Sequence, residues 1–233
     1  MYKAILFDLD GTLLPMDNDE FTRGYFGLLY KEFEPLGFGK EEFVKGMWSG
    51  VAAMVKNTTD MINEERFWEV FAGLLGDRIL AHKNTVDAFY EGEFKKAIAF
   101  TQPTPLAKQA VELAREKAEK VVLATNPFFP PVAVKARLGW AGLKWEDFDH
   151  VTHYCNSKRC KPNPEYYIEV ANAIGVKPCE CLMIGNNSLE DIAASKSVGM
   201  DTYLVTDCLI SEGEMPETKM GSFADLVKFL KSL

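Results

Sequence analysis

The chain is poor in the features that mark secreted, membrane-spanning or nucleic-acid-binding proteins. Its five cysteines in 233 residues (Cys155, Cys160, Cys179, Cys181 and Cys208) form no CxxC pair. An odd count in a chain of this length points to reduced thiols rather than a disulfide framework. Basic residues are outnumbered, with 26 Lys and Arg against 34 Asp and Glu. The net charge of −8 argues against a broad surface for nucleic acid or anionic membrane, so any basic site must be local. No apolar run approaches the roughly 18 residues that cross a bilayer. The N-terminus has one Lys, a short apolar stretch and then acids, which is no signal peptide. Neither GxxxxGK nor GxSxG occurs, which removes the P-loop and serine-hydrolase readings. GFGKEE at 37–42 lacks the last glycine of a dinucleotide fingerprint. The histidines and cysteines at 150, 153, 155 and 160 fit no common zinc spacing. What remains is a cytoplasmic enzyme or binding protein, with neither nucleic acid nor membrane as partner.

What is present is a chain that is 47% hydrophobic, enough to bury a full core. Its most informative stretch is KAILFDLDGT, at residues 3–12. Ala4 to Phe7 form a short continuous apolar run, the pattern of a strand buried on both faces. Asp8 and Asp10 stand at its exit, two apart and so on one face of an extended backbone. Two carboxylates that close oppose each other's ionisation unless a cation or hydrogen bonds intervene.

Further strand-like runs follow at 120–125, 181–185 and 202–205, with a weaker one at 149–154. Helical patterns separate them. Thr104-Pro105 predicts a helix start, running to about Lys120, and Asn163-Pro164 predicts another, closed by Gly175. Ser188 with Glu190 and Asp191 opens a third, and Ser222 with Asp225 resembles a capping box. This alternation predicts an α/β fold: a Rossmann-like parallel sheet with helices on both faces. Residues 16–100 break the rhythm. Phe21, Tyr25, Leu28, Leu29 and Phe33 keep helical spacing, as do Phe67, Val70, Phe71, Leu74 and Leu75. The expected division is a core of residues 1–15 and 101–233 with an all-helical cap domain, 16–100, inserted after the first strand. Such an insertion would lie over the carboxyl ends of the strands, where open α/β sheets place their sites.

The other strand exits bring Thr125-Asn126, then Lys161 in CKPNPEYY, then GNNSLED at 185–191. Two carboxylates, a hydroxyl, a fixed cation and a second acidic cluster suit a phosphoryl group. A carboxylate can attack phosphorus to form a mixed anhydride. That approach of anion to anion costs about 4 kcal/mol for unit charges ~4 Å apart at an effective dielectric near 20. A divalent cation and a lysine offset it.

In these four segments the chain resembles the haloacid dehalogenase-like superfamily across essentially its whole length. DLDGT at 8–12 matches the DxDGT motif, Thr125 the second motif, Lys161 the third and GNNSLED the fourth. The resemblance implies Asp8 as nucleophile and Asp10 as general acid and then base. It implies phosphate binding by Asp8, Leu9, Asp10, Thr12, Thr125, Asn126 and Lys161. Mg2+ would be held by Asp8, the Asp10 carbonyl, Asn186 and Asp191. The departure is Asn186, which stands where the family usually has an acid; its carbonyl can ligate a hard cation but brings no charge.

The reading is a Mg2+-dependent phosphatase acting on a small phosphorylated metabolite through an aspartyl-phosphate. A sugar-phosphate phosphomutase shares the nucleophile, and would turn over a bisphosphate without net phosphate release. A non-catalytic phosphate-binding regulator would bind phosphate without Mg2+-dependent turnover. Dehalogenation has no use for an acid at Asp10, because halide leaves unassisted. Phosphonate cleavage needs a cap lysine, and none of Lys45, Lys56 or Lys83 stands out. The leaving group and the oligomeric state are open at this stage.

Overall fold

The computed structural model describes residues 2–211, 213 and 215–233. Among these, six strands form one wholly parallel sheet: β1 (Ala4–Phe7), β2 (Lys120–Leu123), β3 (His150–Val151), β4 (Cys181–Gly185), β5 (Asp201–Val205) and β6 (Lys219–Gly221). The helices are α1 (Asn18–Phe33), α2 (Lys40–Val55), α3 (Asn63–Leu75), α4 (Lys83–Glu91), α5 (Leu106–Lys117), α6 (Pro131–Trp140), α7 (Pro164–Ala173), α8 (Ala194–Ser197) and α9 (Phe223–Ser232). Every residue of β1 is buried, because the strand is covered on both faces. Ile5 and Phe7 join the side chains of α5 and α9 in one apolar cluster. Ala4 and Leu6 join Tyr166, Tyr167 and Val170 of α7 and Ala194 of α8 in another. Alternate residues of one strand thus feed two cores, as the two-residue period of a strand requires.

The strands lie in the order β3-β2-β1-β4-β5-β6. The winding reverses between β1 and β4, and open α/β sheets form their crevice outside the carboxyl ends at such a point. Asp8 leaves β1 and Asn186 leaves β4 on the two sides of that crevice.

The alternating strands and helices match the expected architecture, with local differences. Strand β3 is two residues long rather than six, because the Asn156 side chain accepts from the His153 N–H at 2.9 Å and turns the chain away. Helix α5 ends at Lys117, since the chain must already be extended when it enters β2 at Lys120. Neither α6 nor β6 was anticipated: α6 is a short helix behind Pro130-Pro131, and β6 is a three-residue edge strand that ends in glycine. The helix after β4 is capped by Asn187 rather than Ser188, and its first turn, Ser188–Ala193, is π-helical. Single π turns inside helices cluster at functional sites. The capping box of Ser222 and Asp225 is present.

Residues 18–100 hold α1 to α4, short 3-10 turns and no strand among the described residues. Hydrogen bonds tie this helical segment to the rest of the chain, and Phe21 and Phe94 pack on Trp140 of α6. The segment's entry and exit run side by side through a Met16–Thr101 bridge, with the Gln102 N–H donating to the Pro15 carbonyl at 2.7 Å. Farther on, the Asn57 amide donates to the Lys158 carbonyl at 2.9 Å, and the Asn63 and Glu64 N–H groups donate to the carbonyls of Ser157 and Tyr154. Among the described residues no helix is long and apolar enough to cross a membrane.

Candidate active site

Asp8 is the first residue beyond β1, and its N–H still donates to the Ile184 carbonyl of β4 at 2.9 Å. That bond fixes the carboxylate at the floor of the crevice. The chain then turns back on itself: Gly11 N–H donates to the Leu14 carbonyl and the Thr12 and Leu14 N–H groups to the Leu9 carbonyl. Gly11 has φ of +83°, and a Cβ there would lie 2.3 Å from Asn186 Nδ2. Only glycine meets both requirements. The turn therefore brings the first acidic motif into contact with the residue that follows β4.

Lys161 is completely buried and donates to Asp8 Oδ1 at 2.8 Å and to Asp191 Oδ1 at 2.6 Å. Burial disfavours its charge, yet Asp191 and Asp8 outweigh that and hold its pKa well above the ordinary lysine value. Asp191 has both oxygens engaged, because Oδ2 accepts from the N–H groups of Asn186 at 3.0 Å and Asn187 at 2.9 Å. Gly185 makes room for it, since a Cβ there would stand 2.2 Å from Asp191 Cγ. Burial pushes the Asp191 carboxyl up to about 6 against the pull of Lys161.

Thr12 lies between two further oxygens, 3.2 Å from Asp8 Oδ2 and 3.0 Å from Asn186 Oδ1. The Asn186 amide is oriented by its Nδ2, which donates to the Cys208 carbonyl at 2.6 Å. Asp8 Oδ2 and Asn186 Oδ1 are thus both turned to the Thr12 hydroxyl, and the Asp10 main chain is two residues from Asp8. An oxygen set of this kind fits a hard divalent cation such as Mg2+. Among the described residues no group of three or more His, Cys, Asp or Glu side chains is arranged to hold a metal ion. A cation here would rest on one carboxylate helped by amide and main-chain oxygens.

Thr125 and Asn126 follow β2 and line the same crevice, about 780 Å³ in volume, with Asp8, Asp10, Asn186 and Asp191. The Thr125 carbonyl is fixed by the Tyr166 and Thr152 hydroxyls. Asn126 Nδ2 donates to Glu190, whose carboxyl burial raises to about 7. Leu9 is fully buried beneath the turn and takes part through its carbonyl. All the expected residues therefore meet at one end of the sheet.

Arg137 was not foreseen as part of the site. Arg137 of α6 is completely buried, pairs through Nη1 with Asp10 Oδ2, and lies over the Phe129 ring at 4.0 Å. Its Nε and Nη2, and the Oδ1 of Asp10, have no hydrogen-bond partner although buried. Burial, aided by the Asp8 charge, raises the Asp10 pKa above the ordinary carboxylate value, and Arg137 opposes the rise. The signal was in the sequence: Ala133, Val134, Arg137 and Leu138 share one helical face, so Arg137 is a charge on an apolar stripe.

Residues 2–199 match the haloacid dehalogenase-like hydrolase family. The chain is 26% identical to the pyrophosphatase PpaX of Halalkalibacterium halodurans over 228 residues, covering 96% of this chain and 94% of that one. It is also 26% identical to an (S)-2-haloacid dehalogenase of Xanthobacter autotrophicus, covering 98% and 84%. In fold it is similar to a HAD phosphatase of Thermococcus onnurineus, with a TM-score of 0.60, 22% identity and coverage of 98% and 97%. The sheet order, the crevice at the ends of β1 and β4 and the match over residues 2–199 lead to one assignment: this chain belongs to the haloacid dehalogenase-like hydrolase family.

Proposed function

We propose that the protein is a phosphatase that hydrolyses a small phosphorylated metabolite through an aspartyl-phosphate on Asp8, with Mg2+ as cofactor. The reading rests above all on Asp10. Its carboxyl lines the crevice with Asp8, paired through Oδ2 with Arg137 and with Oδ1 free of any partner, and burial raises its pKa against the pull of Arg137. A proton held there serves a leaving alkoxide and has no use when halide departs.

Lys161 on Oδ1 and the Thr12 hydroxyl on Oδ2 hold the Asp8 carboxylate in place for attack on phosphorus. The new Asp8–phosphorus bond forms as the ester oxygen–phosphorus bond breaks, and the departing alkoxide takes the Asp10 proton. A water molecule then gives a proton to the Asp10 carboxylate and attacks phosphorus. Asp8 is restored as a carboxylate and inorganic phosphate leaves. Asp8, the Asp10 carbonyl and Asn186 would hold Mg2+, which lowers the repulsion between carboxylate and phosphoryl oxygens. Asp191 acts through Lys161 and through the N–H groups it accepts from, which set the Asn186 backbone. Leu9, Asp10 and Thr12, in the turn, and Thr125 and Asn126, after β2, would surround the phosphoryl group. Residues 16–100 would serve as a cap over the core of residues 1–15 and 101–233, excluding bulk water during transfer.

The test is phosphate release from phosphomonoesters with and without Mg2+, alongside halide release from 2-haloacids. Mg2+-dependent phosphate release is expected; halide release alone would overturn the reading.

A further inference from the structure

Beside the acidic crevice lies a second cavity, of about 120 Å³, that the chemistry above does not use. Rings from four helices line it, among them Phe26 of α1, Trp48 of α2, Phe71 of α3 and Tyr90 of α4. The two spaces share a wall: Thr22, Phe128 and Phe129 border both. Phe128 is only three residues beyond Thr125, and the chain bends between them, with the Phe128 N–H donating to the Asn126 carbonyl at 2.8 Å. Phe128 and Phe129 therefore stand between the crevice at Asp8 and these rings.

The lining carries no Lys, Arg, His, Asp or Glu among the described residues. Two of its hydroxyls, Tyr25 and Tyr90, are bonded to each other at 2.7 Å. Burial raises the pKa of both, so neither brings a charge. An apolar cavity of about 150 Å³ accepts benzene, and this one, at about 120 Å³, is of the same order.

The crevice supplies an independent constraint. Asp17, Asp19, Glu190 and Asp207 line it with Asp8 and Asp10, and no Lys, Arg or His lines it among the described residues. Lys161 and Arg137 are buried on their carboxylate partners. A leaving group with a carboxylate or second phosphate would meet acids without a matching cation.

We propose that the aromatic cavity is the leaving-group subsite, and that the substrate is the phosphomonoester of a neutral, apolar alcohol about one ring in size. The inference rests on the phosphatase reading and narrows its substrate class. Burying a ring of that size in such a cavity is worth at least ~10-fold in kcat/KM over a small polar group.

Benzyl phosphate, 2-hydroxyethyl phosphate and 2-phosphoglycolate separate the possibilities, because their leaving groups are all primary alkoxides. Phosphate release by the intact protein is measured with Mg2+ present. Benzyl phosphate is expected to exceed the hydroxyethyl ester by ~10-fold or more in kcat/KM, and phosphoglycolate to be the poorest. Val51→Trp, which adds bulk at the cavity wall, should lower the benzyl to hydroxyethyl ratio. Benzyl alcohol alone should compete with benzyl phosphate and shift the tryptophan emission, since Trp48 and Trp68 line the cavity, a readout independent of any variant's folding. Equal rates for the two neutral esters, or a preference for phosphoglycolate, would overturn the subsite while leaving the phosphatase standing. No phosphate from any ester, with halide from 2-haloacids, would overturn the phosphatase reading itself.

Discussion

Replacing Lys161 by Met should strike stability and activity together, and the stability loss should depend on pH in a defined direction. The Lys161 ammonium is fully buried between Asp8 Oδ1 at 2.8 Å and Asp191 Oδ1 at 2.6 Å. Each attraction is worth about 4 kcal/mol for charges ~4 Å apart at an effective dielectric near 20. Burial of the ammonium offsets much of that, and the net loss on removing one partner of a buried pair is about 3–5 kcal/mol. At roughly 2–4 °C per kcal/mol for a chain of this size, the melting temperature should fall by about 6–20 °C. A lysine with a raised folded pKa contributes fully below its unfolded value of about 10.4, so the effect is complete at neutral pH. In the variant, Asp191 is buried without its cation. A carboxyl whose folded pKa is raised destabilises the fold as pH rises past its unfolded value and ceases to do so when protonated. Asp191 already sits at about 6 with Lys161 present and goes higher without it. The gap in melting temperature between wild type and Lys161→Met should therefore narrow from about pH 8 to about pH 5. Circular-dichroism melts of both proteins without Mg2+ make the comparison. An unchanged melting temperature at pH 8, or a gap independent of pH, would refute the placement of Lys161 between the Asp8 and Asp191 carboxylates. Turnover should fall by ~10²-fold or more, at least ~2.7 kcal/mol of transition-state stabilisation. A change in KM alone would reduce Lys161 to a binding role.

Arg137→Met should uncover Asp10, lowering kcat and costing about 3–5 kcal/mol of stability; the melting temperature and phosphate-release rate measure both. Asn186→Asp adds charge beside Asp8 but loses the amide N–H that reaches the Cys208 carbonyl. It should lower the Mg2+ concentration for half-maximal activity several-fold, at about 1–3 kcal/mol in stability. Mg2+ titrations at saturating substrate decide this, and an unchanged requirement would remove Asn186 from the metal's ligands. His153 is held at about 4 by burial, helped by His150, and its Nδ1 has no partner. The unfolded chain takes up a proton near pH 6.5 that the folded chain refuses, so stability should fall from about pH 7 to about pH 5. His153→Phe should flatten that slope in thermal melts.

The parts of the site that were legible in the sequence are those set by strand exits and local turns. Asp8 and Asp10 could be placed because a buried four-residue run must end at the sheet edge, and Lys161 because Asn163-Pro164 marks the helix start just beyond it. Arg137 was not legible, because nothing local ties it to Asp10, 127 residues away; only the charge on an apolar helical stripe pointed inward. The π turn at Ser188–Ala193 escaped for a similar reason. Local propensity favours an ordinary helix there, whereas Asp191 is drawn back to Lys161 and the N–H groups of Asn186 and Asn187. The aromatic residues of 16–100, Phe21, Phe26, Phe67, Trp68 and Phe71 among them, read mainly as helix packing, with a minority left to line a substrate pocket. That some also border a cavity next to Phe128 depends on how α1, α2 and α3 meet the loop after β2.

The central claim is that Asp8 carries the phosphoryl group. Enzyme turning over benzyl phosphate with Mg2+, quenched in acid and digested, gives a peptide containing Asp8 whose mass reports it. One added phosphoryl group is expected on that peptide, localised to Asp8 and absent from Asp8→Asn protein. No adduct during rapid phosphate release, or an Asp8 ester formed only from a 2-haloacid, would contradict it.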